Sequence, residues 1–199
     1  IAACQNKQVP DTWNVGDSCM MAFGKKNYQI DIIGKNHDDY ADGSGKAPLT
    51  FQMHATYATQ YKMNGAEYNN CGWKNCLVRT SNAFPALKKV MPAEVVAALK
   101  AVTKKTTAGG ASSAIDTTED TLFLLSEIEV QGTRTHSYAG EGTQNAYYQT
   151  AANRKKNRAW YLRSPRISST SCFCRTGWSG EADWSVASEV DGIAAAWCF

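Results

Sequence analysis

The order in which hydrophobic periodicity changes along the chain is the strongest limit on its fold. Residues 28–34, Tyr-Gln-Ile-Asp-Ile-Ile-Gly, alternate and then run apolar, which predicts a strand stopped by Gly34. Leu49–Met53 reads as a second strand, returning from a polar loop over 36–46 to make a hairpin. From Gly72 to Lys105 the period turns helical. A short helix is expected around Trp73, Leu77 and Val78, and a second over Ala83–Val90. Pro92 opens a third over Ala93–Thr103, with Val95, Val96, Leu99 and Val102 on one side. Leu122–Leu125 reads as a compact strand, and Ser126 with Glu129 three residues on has the spacing of a capping box. Trp160–Arg163, Cys172–Arg175 and Ile193–Phe199 are again short strands. Strands, then helices, then strands argue against a βαβ sheet. They predict an α+β domain with a small, mostly antiparallel sheet, two or three helices and long loops, among them 106–118 and 132–158. The first and last strands are candidates to pair.

Composition removes several classes of function. The net charge of +3 is spread along 199 residues without a basic face, so nucleic acid is not an expected partner. The one basic run, Arg154, Lys155, Lys156 and Arg158, reads as a solvated loop. No apolar stretch approaches the roughly 18 residues of a membrane span, so membrane insertion is not expected. The sequence begins at Ile1 without a Met or a signal peptide, which suggests a processed product or, preferably, one domain of a longer chain. Residues 1–12 are expected to be an extension or linker and 13–199 the domain. Seven cysteines cannot all pair in one chain, and the absence of CxxC argues against a zinc ribbon. Burial as small hydrophobes is their default role. Cys71 with Cys76 is the disulfide expected in an oxidising compartment.

Nothing along the chain announces catalysis. His37, His54 and His136 lie in separate segments without metal-ligand spacing, and no P-loop, GxSxG or GxGxxG occurs. Glu127 and Glu129 are two apart and do not share a helix face, so surface or capping roles are expected of them. Asp38, Asp39, Asp42 and Gly43 suggest calcium, but an EF-hand counted from Asp38 would need ligands where Tyr40 and Leu49 stand. A solvated Asx-turn loop is the default there and a looser cation site the alternative. No catalytic residue, cofactor or metal is therefore expected. The stretches 166–171 and 176–191 differ in character: Trp178, Glu181, Asp183, Trp184, Glu189 and Asp191 stand among Ser, Ala and Gly without a strand or helix pattern. Rigid aromatics among small polar residues are the composition of recognition loops. The competing account makes Trp178 and Trp184 core residues beneath an irregular loop.

Trp160-Tyr161-Leu162-Arg163-Ser164-Pro165 resembles the W-W-L-R-S-P signature of a large family of uncharacterised domains found in gut bacteria and their phages. Further blocks look like the same family. They are Asp31–Gly34 with Asn36–Asp39, Leu122–Val130, Ala139–Thr143, Ser168–Ser171, Phe173-Cys174, Gly177–Val186, Ala187-Ser188 and the close from Gly192-Ile193 to Cys198-Phe199. The resemblance covers the chain from about Trp13. It implies a C-type-lectin-like fold, related to formylglycine-generating enzymes, and a likeness to variable proteins of diversity-generating retroelements, in which a rewritten C-terminal segment (here 160–199) sits on a fixed scaffold. The implied contact residues are Arg166, Ile167, Ser168, Thr170, Arg175, Trp178, Ser179, Glu181, Asp183, Trp184, Ser185, Glu189 and Asp191. Tyr161, which stands where the signature has its second Trp, joins them as a variable position. The implied function is non-enzymatic recognition of a protein or glycan receptor by a phage or bacterial surface adhesin, at the virion or cell surface. The alternatives are an oxidase-like enzyme using Cys172 or Cys174, which needs a low-pKa thiol, and a purely structural virion or surface module.

Overall fold

The computed structural model describes residues 1–199. Its elements in chain order begin with helix α1 (Ala2–Gln5) and strands β1 (Ser18–Phe23), β2 (Lys26–Lys35), β3 (Leu49–Met53) and β4 (Tyr61–Lys62). Helices α2 (Leu77–Thr80), α3 (Ala83–Val90) and α4 (Ala93–Ala98) follow, then a hairpin of β5 (Val102–Gly109) and β6 (Ser112–Asp120), and helix α5 (Glu127–Gln131). Two 3-10 turns over Ala146–Gln149 and Ala151–Arg154 lead to β7 (Trp160–Pro165), β8 (Cys172–Thr176), β9 (Ala182–Val186), β10 (Val190–Asp191) and β11 (Ala196–Cys198). The architecture is α+β, built of small antiparallel sheets.

The widest sheet has the order β1-β2-β3-β11. The closing strand pairs with β3, Trp197 opposite Phe51, and not with the strand over 28–34. Alternation along these strands sorts two faces. Ile30, Ile32, Phe51 and Trp197 line an apolar one, while Asp31, Thr50 and Gln52 are buried on the other. The polar face is satisfied from within: the Asp31 carboxylate accepts from the Tyr147 hydroxyl at 2.9 Å and lies 2.7 Å from His54 Nδ1, and Gln52 donates to Ala194 O at 3.0 Å. The core runs through Trp73, Trp160, Trp197, Phe123 and Phe173, all fully buried. Side chains of this size contribute roughly 1.5–3 kcal/mol each when removed from water.

Several expectations change. The third helix stops at Ala98 rather than Thr103, because Val102 starts β5 opposite Asp120. Residues 106–118 are a hairpin and not an exposed loop: Thr106, Thr107 and Thr118 are buried, and Gly109, Gly110 and Ala111 take left-handed conformations at the turn. β-Branched threonines fit a half-buried pleated strand. Leu122–Leu125 is extended and buried but touches the sheet through one bridge, Phe123 to Ala196, with bonds of 3.0 and 2.9 Å. The segment 176–191 contains β9, paired with β8 from Cys172–Val186 to Thr176–Ala182. The basic run is not a solvated loop, because Lys156 is buried and donates to Met53 O and His54 O at 2.8 and 2.9 Å. Within residues 1–12, Cys4 of α1 is buried in the core. The capping box occurs as predicted, with both Ser126–Glu129 bonds formed. All seven cysteines are free thiols, five of them buried.

Candidate functional site

Two regions gather the chemically distinctive residues. The first is a cavity of about 490 Å³ lined by no apolar side chain. Four of the blocks that carry the resemblance meet there: His37–Asp39 from the β2–β3 loop, Glu129 from α5, Glu141–Thr143, and Arg163 from β7; Lys104 of β5 joins them. Arg163 organises its floor. Its guanidinium holds both oxygens of Glu129, donates to Thr106 Oγ1 at 2.9 Å, and reaches the carbonyls of Leu124 and Glu141 at 2.9 and 2.8 Å. Lys104 donates to Asp38 and, at 3.2 Å, to Glu129, with its ammonium 3.9 Å from the centre of the Phe123 ring. Burial alone would raise the Glu129 carboxyl, but the Arg163 and Lys104 cations overcome it and hold the group at about 2. Burial likewise pushes Lys104 down, and the Asp38 and Glu129 carboxylates lift it above its ordinary value. Glu141, desolvated and bonded by the Ser164 hydroxyl and by the Thr107 amide and hydroxyl, is raised.

His37, Asp38 and Glu129 bring possible ligand atoms within 4.8 Å of one another. That donor set suits a divalent cation in type, but the Lys104 ammonium already bonds both carboxylates. A metal placed among them would face that buried charge directly. The residues fit an internal ion-pair network better than a metal site. Asp38 is part of it and not of a solvated Asx-turn loop, and Glu127 and Glu129 are buried rather than on the surface.

The second region is the three-stranded sheet β7-β8-β9, whose 166–171 loop and 177–181 turn lie at opposite ends of β8. Of the predicted contact residues, Ile167, Ser168, Thr170, Trp178, Ser179, Glu181, Trp184 and Glu189 are exposed, and Arg166, Arg175 and Asp183 are half-buried. Trp178 is 67% exposed and Trp184 39%, which rules out the account that places both in the core. Tyr161, Ser185 and Asp191 are buried. Tyr161 belongs to the frame and not to the contact surface: its hydroxyl lies 2.7 Å from Val186 O and 3.1 Å from Glu189 O, tying β7 to the β9–β10 turn. Arg175 clamps Asp183 at 2.7 Å and Asp191 at 2.9 Å across β8, β9 and β10, so this trio is largely occupied with itself. Glu181 accepts from the Ser179 amide and hydroxyl at 2.9 and 2.5 Å, which closes the 177–181 turn and holds its carboxyl below the usual range.

The frame beneath these loops includes residues that no spacing in the sequence singles out. Glu127 is fully buried, and its carboxylate accepts from the amides of Thr135, His136 and Ser137 and from the Ser137 hydroxyl. The segment so ordered offers His136 O to the Ile167 amide at 2.6 Å. The Asn69 side chain donates to Ser169 O at 3.0 Å and Cys172 O at 2.7 Å, and its amide donates to Thr170 O at 2.8 Å. Gly109 permits that approach: at φ +81°, a β-carbon there would lie 1.9 Å from Asn69 O. Cys172 and Cys174 are buried, and desolvation pushes the Cys174 thiol well above its ordinary value, the opposite of what a thiolate nucleophile needs.

A family model described as Domain of unknown function (DUF6273) matches residues 48–198. The chain belongs to this family. The match runs from the entry to β3 through β11, and so includes the sheet β7-β8-β9 with its exposed loops and most of the cavity lining. Neither a curated protein nor a solved structure matches the chain.

Proposed function

We propose that this chain is a non-enzymatic ligand-binding domain whose contact surface is the exposed part of 166–191. One observation carries the reading: Trp178 leaves two-thirds of its surface in water, on a turn closed by Glu181 and seated on a sheet whose β7 and β8 aromatics, Trp160, Tyr161 and Phe173, are buried. Large exposed apolar groups on a rigid support mark interaction sites. Four of the nine exposed large hydrophobic residues of the chain (Ile167, Trp178, Trp184 and Val190) fall within these 26 positions. The rest of the reading follows the resemblance. It takes the scaffold as C-type-lectin-like, the loops as the rewritten segment of a retroelement-diversified protein, and the setting as a phage or bacterial surface adhesin that meets a protein or glycan receptor. The separation of a buried frame from loops free to vary supports it, because exposed loops tolerate substitution.

Labelled protein incubated with a panel of gut bacterial cells tests the contact surface. Trp178→Ala and Trp184→Ala are expected to abolish binding with unchanged circular dichroism; binding that survives both sinks the reading. The diversification claim is read from neighbouring DNA. A near-copy of the 160–199 coding segment, differing mainly at adenines and beside a reverse transcriptase gene, is the expected finding.

A further inference from the structure

Arg79, Arg154, Arg163 and Arg175 each reach an acceptor within the protein. Arg166 is half-buried and reaches none: its Nε is enclosed without a partner, and its side chain makes no hydrogen bond or ion pair. It is nonetheless held. Its Cζ lies 4.3 Å from the centre of the Trp184 ring, a cation–π contact that holds the guanidinium over the indole and takes up none of its N–H groups. A guanidinium is always charged, and its planar fork matches a carboxylate with two parallel hydrogen bonds.

The surroundings narrow the kind of anion. The β8–β9 hairpin carries Trp184 in its second strand, and Ser168 and Thr170 add exposed hydroxyls in the loop that carries Arg166, whereas Trp178 and Ser179 stand on the turn at the other end of β8. A flat apolar ring, small hydroxyls and one free cation suit a sugar ring: C–H face on indole, hydroxyls on hydroxyls, one carboxylate on the fork. The region also holds four carboxylates. Asp183 and Asp191 are clamped by Arg175, Glu181 is folded onto Ser179, and Glu189 is exposed. Arg166 is the one cation of 166–191 outside an ion pair, which favours a single negative charge at its end of the sheet over a polyanion, which needs several cations. We infer that the face recognises a carboxylate-bearing sugar at the end of a glycan, with Arg166 as its carboxylate ligand. The inference rests on the reading of 166–191 as the contact surface.

The test measures affinity for 3′-sialyllactose and for a glucuronate-terminated disaccharide, which separates the two sources of the carboxylate. Lactose, the methyl ester of sialyllactose and hexaglutamate are the controls. At least one carboxylated sugar is expected to bind, with its ester and lactose weaker by about tenfold or more, the worth of one charged pair. Arg166→Ala should remove that difference and Arg166→Lys restore part of it. The ester leaves the protein untouched, so this arm does not depend on how the variants fold. Equal affinity for acid and ester, no binding of either acid, or preference for hexaglutamate overturns the inference. If cell binding is lost in Trp178→Ala but indifferent to Arg166→Ala, the carboxylate inference fails and the contact surface stands. If it is indifferent to both, both fail.

Discussion

The polar cavity and the exposed face of the sheet β7-β8-β9 use charged residues in opposite ways. At the cavity, Arg163, Lys104, Glu129 and Asp38 are removed from water and spend their hydrogen-bonding capacity on one another. On the sheet, the Arg166 guanidinium is unpaired over Trp184 at one end of β8, and Trp178 faces solvent at the other. Buried ion pairs are weak evidence for stability but strong determinants of which arrangement forms, because separating them leaves an uncompensated charge. The cavity network joins the β2–β3 loop, the β5–β6 hairpin, α5 and β7. Side chains contributed by distant parts of the chain thus lock the frame that presents the loops. Self-satisfied charge builds the support, and on the reading we propose the uncommitted charge is left for a ligand.

That contrast breaks most visibly at Arg163. Arg163→Met leaves Glu129 with Lys104 alone and strips donors from Leu124 O and Glu141 O. A loss of about 3–5 kcal/mol in urea unfolding is expected; a loss below about 1 kcal/mol would show that the network is not what locks the frame. The second test concerns buried Lys156, whose ammonium bonds two carbonyls and lies 5.1 Å from the centre of the Trp160 ring. Burial lowers it from 10.5 to about 7, with Asp31 opposing. The folded chain releases this proton more readily than the unfolded one. Stability from this group therefore rises with pH from about 7 to 10.5, by up to about 1.4 kcal/mol per pH unit, and is level below and above that window. Lys156→Met should flatten the slope in pH-dependent urea unfolding. Glu129 shifts stability in the same direction, in an acid window. Held at about 2 against 4.5, it contributes stability that is complete above pH 4.5 and lost as pH falls towards 2, on the order of 3 kcal/mol. Glu129→Gln should remove that acid limb.

Much of the frame was legible because local chemistry decided it. The strand Leu49–Met53, the helix Ala83–Val90 and the Ser126–Glu129 cap follow from alternation, helical period and cap spacing, and all three occur as read. The β5–β6 hairpin was hidden because its strands are Thr- and Lys-rich, with Gly109-Gly110 at the turn, a composition that loops share. Strand β9 escaped because it is only five residues long and its alternation is inverted, with the apolar side of Ala182, Trp184 and Val186 left half-buried or exposed while Ser185 is buried. Asn69 and Glu127 act through backbone groups about 100 and about 10 residues away, and no periodicity reports a contact of that kind. Tyr161 was misplaced by its resemblance block. Only the fold shows that its hydroxyl is bound to Val186 O and Glu189 O.

The smallest effect is expected where the loops meet water, and it sharpens the comparison most. Trp178→Ala removes a side chain that is 67% exposed and Glu189→Ala one outside any ion pair, so neither withdraws much from the core. Each should change unfolding free energy by no more than about 0.5 kcal/mol, as surface substitutions generally do. Arg175→Ala tests the boundary between frame and loop. It releases Asp191, which is buried and already raised by desolvation, and about 1–3 kcal/mol is expected for leaving that acceptor unsatisfied. If Trp178→Ala proves as destabilising as Arg175→Ala in the same urea titration, Trp178 is holding the fold together and the line between support and contact surface lies elsewhere. If the two differ as stated, the 177–181 turn carries its indole for something outside the protein.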